Sequence, residues 1–185
     1  MRHCTAFGAV AFPTAPLGGE REPAYAARML DLSAVDVDEL ASALADQTDY
    51  DHQWLIDPQS GEIVFWTSDC GIDGETPVDI DELDHLVLID PLPSYVWYQA
   101  MVDFAEGISD RRAGERLART LEGKGAFRRF RNELHQRHPD LVSAWRTFSD
   151  GRAAARAVRW LADEGIIDED SAQQFFRDNP DLALP

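Results

Sequence analysis

The chain has 185 residues, with 34 Asp or Glu against 17 Lys or Arg, a formal net charge of −17 at neutral pH. That length suits one domain with a real hydrophobic core, and 44% apolar residues with five Trp and nine Phe exclude a chain that stays disordered. The charge argues against general nucleic-acid binding, which needs a basic face for the phosphates, and no apolar run of about eighteen residues marks a transmembrane helix.

Met1-Arg2-His3 and the apolar residues after them imitate a signal peptide faintly, but Pro13 and Pro16 break the run. Residues 1–28 carry Pro and Gly with no sustained period and read as a flexible extension; Met29 is an alternative natural start. Asp36 is placed to cap a short amphipathic helix in which Val37, Leu40, Ala41 and Leu44 recur at helical spacing. Gln53 to Ile56 and Ile63 to Trp66 are rich in β-branched and aromatic residues around Asp57-Pro58-Gln59-Ser60-Gly61-Glu62, which predicts a hairpin. Residues 69–82 read as a polar loop, and Leu86 to Ile89 as a third strand closed by Pro91 and Pro93.

From Pro93 onward the period is helical. Ser94 is expected to cap a helix burying Val96, Trp97, Ala100, Met101, Phe104 and Ile108. Asp110 starts a second, with Ala113, Leu117, Ala118 and Leu121 inward, and a third runs from Gly125 to Arg137 on Phe127, Phe130 and Leu134. His138-Pro139 opens a fourth through Phe148, Gly151 separates it from a fifth, and Asp168 caps a last one through Phe176. The pattern implies an α+β fold: an N-terminal helix plus a small antiparallel β-hairpin or sheet, packed on a C-terminal helical bundle. Residues 29–178 form the single domain of this reading and residues 179–185 a frayed tail.

The capped helix, the aromatic hairpin with its Asp-Pro-x-Ser-Gly-Glu turn, Leu121-Glu122-Gly123-Lys124-Gly125-Ala126-Phe127-Arg128-Arg129-Phe130, Trp145 with Phe148, and Ala157 to Leu161 form a recognisable series. Over residues 30–167 the chain resembles the bacterial Uncharacterised Protein Family 0158, most specifically in the Gly-Lys-Gly-Ala-Phe-Arg-Arg-Phe segment. The resemblance implies a fold and a cytoplasmic setting, and it transfers no catalytic residue.

No constellation of catalytic residues is legible. The carboxylates of residues 69–90 lack the fixed offsets of a calcium loop, and Pro77 interrupts them. His135 and His138 stand three apart, but no third ligand completes a metal set. Cys4 and Cys70 are too few for a disulfide framework and suit a reducing compartment. Cys70 has no adjacent base, no Ser sits in a nucleophile elbow, and Gly123-Lys124-Gly125 is too short for a phosphate loop. Adjacent Phe65 and Trp66 must face opposite sides of a strand, one in the core and one under a cover that the bundle is expected to supply.

Charge is distributed unevenly. Residues 31–110 hold twenty acidic side chains and no Lys or Arg, whereas residues 111–160 hold thirteen basic and five acidic ones. Lys124, Arg128, Arg131 and His135 fall within a sector of about 60° beside the expected buried face. Arg152, Arg156 and Arg159 repeat at i, i+4, i+7. Two readings follow. Either these stripes dock on the acidic half of the chain, so that Arg128→Glu or Arg131→Glu lowers stability by more than about 1 kcal/mol, or they bind an anion near the helix start at Gly123 to Gly125. The sequence therefore suggests an acidic cytoplasmic module without catalysis, metal or cofactor. It would bind an unidentified protein partner or regulate one. The alternative is an anion-binding protein that recognises RNA or a phosphorylated small molecule through the 124–135 helix.

Overall fold

β-Branched and aromatic residues flank a turn whose first residue, Asp57, satisfies the backbone that reverses direction. The computed structural model describes residues 29–48, 52–180 and 184; the extension read over residues 1–28 and residues 181–183 and 185 of the tail lie outside them. β1 (His52–Ile56) and β2 (Ile63–Thr67) pair antiparallel with Trp54 opposite Phe65. The Asp57 carboxylate accepts from the Gln59 N–H at 2.7 Å and the Ser60 hydroxyl at 3.0 Å, and the Asp57 carbonyl accepts from the Gly61 N–H at 2.8 Å. β3 (Val87–Ile89) adds to the other side of β1, with Trp54 opposite Ile89, so the sheet order is β2-β1-β3.

The period of two sends Phe65 and Trp66 to opposite faces. The Trp66 indole N–H donates to the Val78 carbonyl at 2.9 Å, so the cover it has within this part of the chain is the 69–82 loop. Phe65 remains 43% exposed between the rings of His52 and Trp54, whose centroids lie 4.6 and 4.9 Å away.

The chain divides into two compact units. The sheet belongs to one, with the described residues of 29–36 and 48–90; the described residues of 37–47 and 91–184 form the other. α1 (Val37–Ala45) thus belongs to the helical unit and packs against a late helix. The helical unit continues with α2 (Ser94–Gly107), α3 (Arg111–Thr120), α4 (Ala126–Arg137), α5 (Val142–Asp163) and α6 (Glu169–Asp178). α1 packs on α5, α2 on α3 and α5, α3 on α4, and α5 on α6. The Leu44 carbonyl at the end of α1 accepts from the Leu92 N–H at 2.8 Å, and the Gln47 side chain donates to the Leu92 carbonyl at 2.9 Å.

Caps set the boundaries. Asp110 accepts from the N–H groups of Arg112 and Ala113 at 2.9 and 3.1 Å, and Asp168 accepts from that of Ser171 at 2.7 Å. Ser94 is not the cap expected of it: Pro93 holds that position, and Ser94 is the first helical residue. Phe104, Phe130, Trp145 and Phe148 form the centre of the core, with Trp145 centroids 5.2 Å from Phe104 and 4.9 Å from Phe130. Leu184 packs, partly buried, against this core.

Three further expectations are corrected. Gly151 does not separate two helices, because α5 runs unbroken for 22 residues through it. A mid-helix Gly costs about 1 kcal/mol, which burial of Phe148, Ala157, Val158 and Leu161 along one helix outweighs. On α3, Ala118 is exposed and Gly114 is buried instead. A Cβ on Gly114 would lie 2.5 Å from the Ala105 carbonyl oxygen, so α2 and α3 approach at a place only Gly allows. On α4, Phe127 is 47% exposed and Ala126 takes the inward place beside Phe130 and Leu134.

Candidate functional site

Replacing Phe127 by Ala126 on the buried face turns α4 about its axis by roughly a third of a right angle relative to the expectation. Arg128, Arg131 and His135 then lie away from the core, about 100–160° from the centre of the buried sector at 100° per residue. All three are exposed, as is Lys124 in the turn before the helix. Among the described residues none of the four makes an ion pair. Docking of this stripe thus has no ion pair behind it among the described residues. Phe127 stands beside Arg131, about 40° around the helix, so the outward face carries an aromatic ring next to its cations.

The Gly-Lys-Gly segment holds this arrangement. Gly123 and Gly125 have φ of 75° and 79°, the left-handed region that favours glycine. Across their turn lies the Arg129 guanidinium. Its Nε donates to the Thr120 carbonyl at 3.0 Å, one terminal nitrogen donates to the carbonyls of Glu122 and Gly123, and the other donates to that of Lys124. The planar fork of Arg meets four acceptors at once, which Lys cannot do. The arginine in the most specific part of the sequence is thus a clasp between α3 and α4, and its neighbours Arg128 and Lys124 point elsewhere.

The second stripe behaves differently. Arg152 lies 3.5 Å from the Asp103 carboxylate and 5.1 Å from the Phe148 ring centroid. Arg156 donates to the Val96 carbonyl at 2.9 Å and sits 4.9 Å from the centroid of Trp97. Arg159 stands 4.7 Å from the Phe176 ring on α6. Burial first, then the charge of Arg152, pushes the Arg156 guanidinium below its ordinary value, against the opposing pull of Asp103. Of this stripe, Arg152 thus meets a carboxylate of the acidic 31–110 block, whereas Arg156 is held there by a carbonyl and an aromatic ring.

A third basic stripe escaped the sequence reading although its spacing was visible. Arg112, Arg116 and Arg119 repeat at i, i+4, i+7 on α3 and are exposed. Arg116 and Arg119 line an open groove of about 460 Å³ with Glu133 and Arg137 of α4. Glu133 is turned toward the His138 Nε2, 3.8 Å away.

The other candidates have local roles. Asp73 accepts from the N–H groups of Glu75 and Thr76 at 2.8 and 2.7 Å, and Asp79 accepts from that of Asp81 at 3.1 Å, so these loop carboxylates are engaged with their own backbone. Among the described residues no group of three or more His, Cys, Asp or Glu is arranged to hold a metal ion. Nor is any helix among them long and apolar enough to cross a membrane.

Comparison with known proteins finds one family. The model of UPF0158, described as an uncharacterised protein family, matches residues 31–179. A UPF0158 protein of Pseudomonas aeruginosa is 29% identical over 151 residues, which is 82% of this chain and 92% of the relative. No solved structure matches. With the match spanning both the sheet and the helical bundle, the chain belongs to the UPF0158 family.

Proposed function

We propose that the protein is a non-catalytic, cytoplasmic interaction module whose α4 outward face, Lys124, Phe127, Arg128, Arg131 and His135, takes an acidic segment of a protein partner. One observation carries the reading. A chain with 34 acidic residues for 17 basic ones leaves this stripe exposed and without ion pairs among the described residues. Carboxylates are not scarce, so the lack of pairing is not forced by composition. The face from Lys124 to His135 is about 16 Å long, the scale of a short peptide segment, and Phe127 offers the aromatic contact that protein interfaces favour. A long polyanion such as RNA would extend beyond the stripe into the field of a chain carrying −17.

The test compares what the unmodified chain and an Arg128→Glu, Arg131→Glu double variant retain from lysate at physiological salt. A protein retained by the first and lost by the second, with both equally stable, supports the reading. Retention of nucleic acid instead, lost in the same variant, overturns it in favour of an RNA-binding surface.

A further inference from the structure

The groove between α3 and α4 is a separate feature from the α4 outward face. Arg116 and Arg119 line it from α3 and Arg137 from α4, and the lone carboxylate among its lining residues, Glu133, faces His138 at 3.8 Å. Arg119 uses its Nε on the Glu115 carbonyl at 3.1 Å, which anchors the side chain and leaves its terminal nitrogens available. Arg116 and Arg137 make no ion pair among the described residues. Three guanidinium groups around one groove repel each other, and a bound oxyanion relieves that repulsion. Guanidinium is the side-chain group best matched to phosphate, through paired N–H donors.

We propose that this groove binds a compact polyphosphate, either free or as the phosphate chain of a nucleotide. A single phosphate monoester engages one or two arginines, whereas three arginines from two helices around about 460 Å³ match a chain of phosphates. The lining is polar and cationic, which suits the phosphates of such a ligand. The overall charge of the chain does not prevent this. The Debye length at physiological salt is about 8 Å, so the groove's own guanidiniums dominate the field that a bound phosphate feels.

Titration calorimetry of the full chain in EDTA at physiological salt, with tripolyphosphate and separately with ATP, tests the proposal. Tripolyphosphate is expected to bind with a Kd below about 1 mM, a free energy of about −4 kcal/mol. Arg116→Gln with Arg137→Gln is expected to weaken binding at least about tenfold, about 1.4 kcal/mol by the same relation, and Arg128→Gln with Arg131→Gln to change it less than about twofold. Glu133→Gln is expected to tighten binding about two- to fivefold, because it removes the groove's negative charge; damage to the fold would not give that sign. ATP equal to tripolyphosphate assigns the phosphate chain alone as ligand, and ATP about tenfold tighter assigns a nucleotide. No binding of either at about 5 mM, or binding lost with Arg128 and Arg131 but kept without Arg116 and Arg137, overturns it.

Discussion

The Arg156 guanidinium of α5 lies over the indole ring of Trp97 of α2, 4.9 Å from its centroid. The same guanidinium donates to the Val96 carbonyl at 2.9 Å, while the Trp97 indole N–H and the other Arg156 terminal nitrogen are buried without hydrogen-bond partners among the described residues. The contact is held by the ring face and one carbonyl, in a place where burial already disfavours the charge.

Arg156→Gln is therefore expected to destabilise the protein by about 1–2 kcal/mol, from a lost cation–π contact and a charged hydrogen bond. Arg128→Glu and Arg131→Glu, on the exposed stripe, should each change stability by less than about 0.5 kcal/mol. Urea denaturation of the three variants measures both. A loss for Arg128→Glu as large as that for Arg156→Gln would mean that the α4 stripe is docked after all.

Arg129 should be intolerant of conservative replacement. Arg129→Lys keeps the charge but loses the fork that reaches the carbonyls of Thr120, Glu122, Gly123 and Lys124. We expect a cost of about 1–2 kcal/mol for Lys and more for Ala. Hydrogen exchange of residues 121–126 should speed up in both variants while that of the α5 core is less affected. Unchanged exchange in the turn would show that the glycines alone hold it.

Two glycine substitutions should move stability in opposite directions. A Cβ at Gly151 meets nothing within 4 Å, so Gly151→Ala in mid-α5 is expected to stabilise by about 0.5–1 kcal/mol. Gly114→Ala places its Cβ 2.5 Å from the Ala105 carbonyl oxygen, and the overpacking is expected to cost about 1–3 kcal/mol despite the better helix propensity. Thermal melts of the two variants, read against the unmodified chain, give the signs directly.

The acid limb of stability should contain a contribution from Asp168. The Ser171 backbone N–H, then its hydroxyl, holds the Asp168 carboxyl below the ordinary carboxylate value. The unfolded chain thus binds a proton more readily. The contribution is fully present above the ordinary value, near about 4, and is lost as pH falls through the lower folded value. Asp168→Asn keeps a capping acceptor but cannot titrate, so its stability should fall less steeply below about pH 4. An identical acid limb in both proteins, followed by denaturant midpoint against pH, would remove Asp168 from the account.

Much of the local structure was set by the sequence itself. α1 begins at Val37, right after the expected cap. The hairpin register follows from the Asp57 turn, and Asp110 and Asp168 cap α3 and α6. These features depend on residues within a few positions of each other, and caps and turns act through hydrogen bonds of that reach. Tertiary structure decided the rest. Whether Gly151 breaks a helix depended on the unbroken apolar face of α5, which outweighs a single residue's propensity. Whether Phe127 or Ala126 faces inward depended on how closely α4 approaches its neighbours, since a small residue there admits Phe130 and Leu134 to the aromatic core. That choice turned Arg128, Arg131 and His135 outward, whereas Arg156 found the Val96 carbonyl sixty positions earlier in the chain, a contact that periodicity alone does not describe. The groove of Arg116, Arg119 and Arg137 likewise exists because α3 and α4 lie side by side. Helical spacing can place arginines on one face of α3, but only packing sets a second helix, with its own arginine, across from them.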